Sequence, residues 1–314
     1  MSILYYCDDD DGTLLSALRQ RLADTNIIDW QDQRTQLPHS DITSAVVWMP
    51  PADFFDGLTR LREIYVFAAG VDQLLAHPGL PANATIIRLR DAGMAQQMAE
   101  YCLYGVLHHQ RRMMLLRRAQ REARWAHEIQ ADLAAQTRVG ILGAGALGSR
   151  VAERLALNGY PVTCWSRTGR TPKTPGWRSV HGAETLDAFL ASSDILICLL
   201  PLTTATTGIL DAALFCRLPR GAFLINPGRG GHQVEDELLA ALASGQLSGA
   251  MLDVFSTEPL PVDHPFWAHP AIIITPHIAA RSLVSESVEQ IISSMEAIER
   301  GDSPQGIVDR QRGY

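Results

Sequence analysis

The sequence is poor in cysteine and contains no long hydrophobic run. Its five cysteines are scattered through 314 residues and form no CxxC pair. Such a set predicts reduced thiols in a reducing compartment and excludes a disulfide-stapled scaffold. The longest apolar run, residues 195–202, is far shorter than the roughly 20 residues that a membrane-spanning helix needs.

The sequence also lacks an excess of positive charge and a basic leader. Lysine and arginine number 27 against 34 aspartates and glutamates, so the formal net charge is −7. An acidic balance argues against a protein that coats nucleic acid. The opening residues, MSILYYCDDD, lack the basic flank and the apolar length of a signal peptide. We therefore expect a soluble cytoplasmic protein that binds neither nucleic acid nor membranes.

The composition is that of a folded protein, and its pattern is that of α/β domains. Hydrophobic residues make up 46% of the chain and charged residues 19%, which excludes disorder as the main state. Predicted strands cover residues 3–7, 45–49, 64–67 and 85–89, and later 139–142, 162–165, 195–200, 222–226, 250–254 and 272–275. Helical patterns lie between them, as in parallel sheets with crossover helices. The sequence predicts two doubly wound parallel-sheet domains with a ligand-binding cleft between them.

Two other segments are predicted as helices. Residues 94–125 contain no proline and one glycine and end in a run of arginines, so we expect one helix that leaves the first domain and ends exposed. The arginines favour a solvated helical face or a subunit contact. Residues 282–300 also have helical periodicity and are free to pack on either domain, which permits a discontinuous first domain.

A glycine-rich motif follows the predicted strand 139–142 and opens a helix. Its residues are Gly143, Gly145, Ala146, Leu147 and Gly148, in a GxGxxG pattern. In a dinucleotide-binding turn the first glycine permits the tight turn, the second lets a pyrophosphate approach, and the third lets helix and strand pack closely. The helix N-terminus favours the negative charge. The alternative is an ordinary glycine-rich turn.

The loop after the next predicted strand indicates which dinucleotide would bind. An NAD-binding domain usually carries Asp or Glu there for the ribose hydroxyls, but this chain has Ser166, Arg167, Thr168 and Arg170. Guanidinium and hydroxyl groups would hold a ribose 2′-phosphate that a carboxylate would repel. The loop therefore predicts NADP(H), and the alternative is an ordinary basic surface loop.

Three polar residues each follow a predicted strand in the second domain: Arg229 in NPGRGG, Glu258 in LDVFSTEPLP and His277 in TPHIAA. His277 suits a proton donor near neutral pH, and an adjacent Glu258 would stabilise its charged form. Arg229 offers a planar fork for a carboxylate and a polarised carbonyl. Taken one at a time, each residue has an ordinary alternative: His277 as a helix-capping residue, Glu258 as a solvated acid in a turn, and Arg229 as a surface residue.

Taken together, these motifs resemble the D-isomer-specific 2-hydroxyacid dehydrogenase family. The resemblance includes VVWMPP, FAAGVDQL, LGAGALGSR, CWSRTGR and the terminal RGY, and so covers nearly the whole chain. It is strongest to the members that reduce glyoxylate and hydroxypyruvate. It implies a flavodoxin-like substrate domain, residues 1–98 plus 281–314, and a Rossmann-type NADP-binding domain, residues 99–280. It also implies a homodimer.

The resemblance implies further contacts. By it, the backbone of Ala69 and Gly70 takes the substrate carboxylate, and Asp253 contacts the nicotinamide carboxamide. The cofactor would also be lined by Leu200, Pro201 and Thr206. A plain structural turn is the alternative for Gly70, although glycine does let the main chain approach a ligand closely. Trp48 is consistent with a pocket for short oxo acids and equally with a core tryptophan.

We expect an NADPH-dependent reductase that converts glyoxylate to glycolate and hydroxypyruvate to D-glycerate. Two alternatives are another dehydrogenase of the same fold, of the lactate or phenylpyruvate type, and a non-catalytic dinucleotide-sensing protein. The arginine loop argues against enzymes that use NAD. The remaining histidines show no spacing typical of a metal site, so we predict no metal.

Overall fold

The computed structural model describes residues 2–33, 41–169, 171–172 and 174–314. The chain divides into two compact units, Met1–Gly93 with Ser282–Tyr314 and Met94–Arg281. Within the described residues, no helix combines the length and the apolar character needed to cross a membrane.

The smaller unit is a five-stranded parallel sheet with the order β2-β1-β3-β4-β5. Its strands are β1 (Ser2–Cys7), β2 (Asn26–Asp29), β3 (Ile42–Trp48), β4 (Glu63–Val66) and β5 (Thr85–Arg88). Its helices, numbered along the chain, are α1 (Thr13–Arg21), α2 (Trp30–Gln33), α3 (Asp72–Leu75) and α10 (Val284–Glu299). This is the flavodoxin-like strand order.

Apolar residues cover both faces of the smaller sheet. Leu14 and Leu18 of α1 are buried together with Val288 and Ile291 of α10. Helix α10 therefore returns to the unit that begins the chain. The C-terminal segment then runs beside β5, where Ile307 forms an antiparallel bridge with Ile87. This pairing covers a strand edge that would otherwise be open.

The larger unit is a seven-stranded parallel sheet with the order β12-β11-β10-β9-β6-β7-β8. Its strands are β6 (Val139–Leu142), β7 (Val162–Ser166), β8 (Trp177–His181), β9 (Ile195–Cys198), β10 (Ala222–Asn226), β11 (Leu247–Leu252) and β12 (Ile272–Ile274). Its helices are α4 (Met94–Gln110), α5 (Met113–Arg121), α6 (Ala146–Leu157), α7 (Leu186–Ala191), α8 (Ala212–Phe215) and α9 (Glu235–Ala243), and its 3₁₀ turns are Ala134–Gln136, Ala183–Thr185, Gly230–His232 and Pro265–Ala268. The order is that of a Rossmann sheet with one added strand, and it reverses between β6 and β9, where such sheets bind ligands.

The predicted fold class is confirmed, because both units are parallel α/β sheets. Strands β6, β9 and β10 are buried along their whole length. Strands buried on both faces read as continuous apolar runs, so the sequence pattern could find them. Strands β2 and β8 were missed. Each lies at one end of its sheet and includes polar residues.

The prediction of one helix over residues 94–125 is wrong. The chain forms α4 and α5 instead, and the break occurs at Arg112, which adopts the left-handed conformation with φ 57°. A single residue with positive φ interrupts the helical hydrogen-bond ladder. Propensity did not reveal the break, because arginine is a good helix former.

Candidate active site

The glycine motif forms the turn between β6 and α6, and each glycine has a distinct environment. Gly143 has φ +107°, and an added Cβ would lie 2.6 Å from the carbonyl oxygen of Leu199. A Cβ on Gly148 would lie 1.9 Å from the carbonyl oxygen of Gly143, so α6 packs directly on the turn. A Cβ on Gly145 would meet nothing within 4 Å. The middle glycine thus leaves open space beside the N-terminus of α6, at Ala146 and Leu147.

The loop after β7 contains no carboxylate among its described residues 166–169. Arg167 and Thr168 are exposed, and Ser166 closes the strand. The Ser166 hydroxyl is buried and has no hydrogen-bond partner among the described residues. Arg170, the fourth predicted contact, lies outside the described residues.

The segment after β9 is organised by one hydroxyl. Thr206 Oγ1 donates to the carbonyl oxygen of Pro201 at 2.6 Å and accepts the Thr203 N–H at 2.8 Å. Leu200 is partly buried and Pro201 is exposed. The loop is therefore closed on itself, next to the turn that holds Gly143.

Arg229 lies in the loop after β10, which the buried Asn226 organises. The Asn226 amide donates to the carbonyl oxygen of Arg229 at 3.2 Å and accepts the Gly228 N–H at 3.2 Å. The Arg229 guanidinium donates to the Gly228 carbonyl at 2.9 Å. At Gly230 an added Cβ would lie 1.9 Å from the carbonyl carbon of Phe255, so only glycine fits there. The loop holding Arg229 is consequently fixed against the segment that leads to Glu258.

Glu258 and His277 are in direct contact. His277 Nδ1 and Glu258 Oε2 are 2.7 Å apart, and Glu258 Oε1 accepts the Phe255 N–H at 2.9 Å. The His277 side chain is 46% exposed, and its Nε2 has no partner among the described residues. Since Nδ1 faces a carboxylate, Nε2 is the ring atom left to exchange a proton with a bound molecule.

The charge state of Glu258 is fixed by its neighbours. Burial acts to raise the pKa of Glu258, but the hydrogen bonds from His277 and from the Phe255 N–H, together with the positive charge of Arg229, outweigh it. The pKa of Glu258 therefore lies below its ordinary value. A carboxylate that stays ionised keeps a proton on His277 Nδ1.

His277 is held in an unusual backbone conformation by Asp253. Its φ is 55°, and its N–H donates to the Asp253 carbonyl at 2.8 Å. The Asp253 side chain is fully buried and accepts the N–H groups of Ile278 and Ala279 at 2.9 and 2.8 Å. Burial raises the pKa of Asp253, and these hydrogen bonds act in the opposite direction. One carboxylate thereby fixes the turn that presents His277.

Sequence reasoning missed two residues that continue this network. The Thr275 hydroxyl donates to Asp253 at 2.6 Å, and the Tyr101 hydroxyl lies 2.7 Å from Thr275 Oγ1. Because the only proton of Thr275 is used on Asp253, Tyr101 donates to Thr275. No motif marks Tyr101, which reads as part of an apolar helix, and Thr275, although it opens TPHIAA, was given no role.

Three predicted contacts lie in the smaller unit. Trp48 ends β3 and is partly buried against the apolar residues on both faces of the sheet. Ala69 and Gly70 form part of the turn after β4 and are also partly buried. Among the described residues, neither amide N–H of this pair donates a hydrogen bond to a protein acceptor.

The described part of the chain groups no three His, Cys, Asp or Glu side chains as metal ligands.

Comparison with known proteins identifies similar sequences. The family model described as D-isomer specific 2-hydroxyacid dehydrogenase, NAD binding domain, matches residues 103–279. Glyoxylate/hydroxypyruvate reductase A of Serratia proteamaculans is 44% identical over 307 residues, which covers 96% of this chain and 95% of that protein. The protein of the same name from Escherichia fergusonii is 41% identical over 320 residues and covers 100% of both chains.

Solved structures show a similar fold over the same extent. A D-isomer specific 2-hydroxyacid dehydrogenase from Xanthobacter autotrophicus, in complex with NADPH and MES, is 38% identical with a TM-score of 0.92. An NADPH-dependent glyoxylate/hydroxypyruvate reductase from Sinorhizobium meliloti, in complex with NADP and sulfate, is 35% identical with a TM-score of 0.93. Each match covers 100% of this chain and 99% of the other.

Proposed function

The chain belongs to the D-isomer-specific 2-hydroxyacid dehydrogenase family, as its motifs predicted, and on this basis we propose that it reduces small 2-oxo acids with NADPH. The substrates are glyoxylate, which gives glycolate, and hydroxypyruvate, which gives D-glycerate. The observation that carries the proposal is the contact of 2.7 Å between His277 and Glu258. It provides a proton donor of the kind that reduction of a carbonyl requires.

The larger unit has the features that NADP(H) needs. The open side of Gly145 and the N-terminus of α6, at Ala146 and Leu147, suit a pyrophosphate. Arg167 supplies the positive charge that a 2′-phosphate requires, with hydroxyls from Ser166 and Thr168. The proposal gives the remaining cofactor contacts to Arg170, Leu200, Pro201, Thr206 and Asp253. When bound, the reduced nicotinamide supplies a hydride to the carbonyl carbon of the substrate.

The chain's own residues bind the substrate and complete the reaction with a proton. Arg229 holds the substrate carboxylate and polarises the carbonyl. The amides of Ala69 and Gly70 also take the carboxylate, and Trp48 limits the room for longer side chains. His277 Nε2 then donates its proton to the carbonyl oxygen, on which negative charge develops. Glu258 stabilises the protonated imidazole before transfer and orients it throughout.

Replacing Glu258 by glutamine tests the supporting role of this carboxylate. The amide keeps an oxygen for the Phe255 N–H but removes the charge that stabilises protonated His277. We expect kcat for glyoxylate reduction to fall roughly 100-fold, within the usual range for losing support of a general acid. The dissociation constant for NADPH, measured by fluorescence titration, should change less than about twofold.

Glu235 provides the matched control for this substitution. It also contacts a histidine, with Oε2 3.2 Å from His264 Nε2, but the proposal gives it no role in turnover. Glu235→Gln should leave kcat within about threefold of the wild-type value. If Glu258→Gln lowered kcat no more than Glu235→Gln, Glu258 would have no part in proton transfer.

The proposal also includes a homodimer in the cytoplasm. Several large apolar side chains are exposed on α4, on α5 and just beyond: Tyr104, Leu107, Met113, Leu115 and Trp125. Large exposed apolar residues concentrated in one segment of the chain are consistent with a contact between proteins. Sedimentation equilibrium would return twice the chain mass of 34.5 kDa for the dimer and that mass for a monomer.

The decisive experiment follows the loss of reduced-nicotinamide absorbance with purified protein. NADPH and NADH are each compared against glyoxylate, hydroxypyruvate, pyruvate and phenylpyruvate. We expect the highest kcat/KM with NADPH as the cofactor and glyoxylate or hydroxypyruvate as the substrate. Preference for pyruvate or phenylpyruvate would indicate another dehydrogenase of the family. Tight NADPH binding without turnover on any acid would favour a dinucleotide-sensing protein.

A further inference from the structure

The turn after β4 presents an amide to which no other part of the described chain binds. The Gly70 N–H donates to no protein acceptor among the described residues. On the other side of the same peptide bond, the Ala69 carbonyl oxygen accepts a hydrogen bond from Arg88 Nη1 at 3.0 Å. One end of this peptide is therefore bound to a cation, while the other end has no partner in the described part of the chain.

The geometry of a trans peptide links these two ends. In a planar trans peptide the C=O of one residue and the N–H of the next point in opposite directions. A guanidinium on the Ala69 oxygen therefore draws electron density along the peptide, which makes the Gly70 N–H a stronger donor. Hydrogen bonds in such a chain polarise one another by about 10–30% each. The arrangement favours a negatively charged acceptor at Gly70.

The charge on Arg88 is not matched by any neighbouring carboxylate. Arg88 is partly buried at the end of β5, and no Asp or Glu in the described ranges lies within ion-pair distance of it. Burial lowers the pKa of Arg88, and the charge of Arg90 adds to this effect. A partly buried cation without a counter-ion is unfavourable on its own. The binding of an anion nearby would offset that cost.

Contacts with the C-terminal segment also fix the position of Arg88. Its N–H donates to the Gly306 carbonyl at 3.0 Å, and two residues further on the Val308 N–H donates to the Ile86 carbonyl at 2.9 Å. A Cβ on Gly306 would lie 2.3 Å from the Arg88 carbonyl oxygen, so the C-terminal segment packs directly on this strand. The guanidinium is thus attached to a rigid strand and not to a mobile loop.

We propose that Arg88 is a positioning residue that prepares the Ala69–Gly70 turn to bind the carboxylate of the substrate. Through its hydrogen bond to the Ala69 carbonyl, Arg88 orients the peptide and strengthens the Gly70 N–H as a donor. Arg88 also adds a positive charge on the side of the turn away from the ligand. The inference rests on the proposed function, in that the ligand of this turn is taken to be a 2-oxo acid.

The proposal makes a specific kinetic prediction. The carboxylate has the same charge in the bound substrate and in the transition state, so an interaction with it contributes equally to both. Loss of such uniform binding raises KM and leaves kcat nearly unchanged. Were Arg88 only a structural tether for the turn, its loss would misplace the carbonyl relative to the hydride and lower kcat.

The experiment compares Arg88→Met, Arg88→Lys and Arg90→Met with the wild type. Arg90 is a matched control, because it lies two residues away and is exposed, with its guanidinium on Gln305. KM and kcat are measured with glyoxylate and NADPH. Binding of oxamate, an unreactive carboxylate of similar size, to the complex with NADPH is measured by fluorescence quenching and does not depend on turnover. NADPH affinity and thermal unfolding establish that each variant is folded.

For Arg88→Met we expect KM and the oxamate dissociation constant to rise about tenfold or more, the loss typical of a charge-assisted contact, with kcat within about threefold of the wild type. Arg88→Lys should recover most of the oxamate affinity, and Arg90→Met should alter it less than about twofold.

Unchanged oxamate binding in folded Arg88→Met would overturn the inference, as would a loss confined to kcat. Wild-type protein that binds oxamate through Arg88 but reduces no 2-oxo acid would support the inference and reject the proposed function. Wild-type protein that binds no oxamate at all would reject the carboxylate role of this turn.

Discussion

Replacing His277 by alanine is expected to lower kcat for glyoxylate reduction about 1000-fold, since general acid catalysis typically contributes 10²–10⁴-fold. The imidazole is 46% exposed and contacts Glu258 through Nδ1, so its removal takes away the proposed proton donor without opening the core. The turn after β6 and the loop after β7, which we propose to bind NADPH, are left unchanged. The dissociation constant for NADPH should therefore stay within about twofold of the wild-type value.

A second exposed histidine of the same unit provides the control. The His127 side chain is 84% exposed, and His127→Ala should leave kcat within about twofold. Single-turnover measurements with preformed enzyme–NADPH complex would show that the loss in His277→Ala lies in the chemical step and not in binding. Turnover within tenfold of the wild type would mean that another group supplies the proton.

Where the sequence predicted structure well, the determinants were local. The three positions of the glycine motif, the apolar strand before it and the helix after it are all contained in residues 139–157. Each glycine proved to have the environment that the motif requires, with positive φ at Gly143, open space at Gly145 and close packing at Gly148. Short-range rules suffice for such a unit because its residues are neighbours in the chain.

Where the sequence failed, the determinants were contacts between distant segments. Tyr101 and Thr275 are 174 residues apart, and only the folded sheet places them within hydrogen-bond distance of one another. Arg88 and Ala69 are 19 residues apart, Arg88 at the end of β5 and Ala69 in the turn after the neighbouring strand β4. In each pair only one residue lies in a motif, Thr275 in TPHIAA and Ala69 in FAAGVDQL, and nothing in the sequence marks its partner. The sequence located the groups proposed to react but not the residues that hold them in place.

The direct contact of Glu258 with His277 is an intermediate case. The sequence placed both residues after strands, and the carboxyl ends of parallel strands lie at one edge of a sheet. Glu258 and His277 are therefore expected in the same region, but the rule gives no distance between them. The contact of 2.7 Å depends on the left-handed turn at His277, which the buried Asp253, directly after β11, stabilises. Positive φ is uncommon for every residue other than glycine, so no sequence rule would have proposed it at His277.

Replacing Arg167 by aspartate should reverse the choice of cofactor. The 2′-phosphate of NADPH would lose a charge-assisted hydrogen bond and face a like charge, so kcat/KM with NADPH should fall roughly 100-fold or more. NADH has no 2′-phosphate, and a carboxylate at this position accepts hydrogen bonds from the ribose hydroxyls. We therefore expect kcat/KM with NADH to stay equal or to rise, measured with glyoxylate at a fixed concentration.

Arg121→Asp makes the same change in net charge on an exposed position of α5, outside the loop after β7. It should leave the ratio of kcat/KM for the two cofactors within about twofold of the wild-type ratio, because salt screens the effect of a distant exposed charge. The ratio of NADPH to NADH efficiency is thus the informative quantity, since it cancels losses of stability or of active fraction. Equal losses with both cofactors in Arg167→Asp would show that Arg167 does not contact the 2′-phosphate. Cofactor choice would then depend on other residues of the loop, such as Ser166 and Thr168.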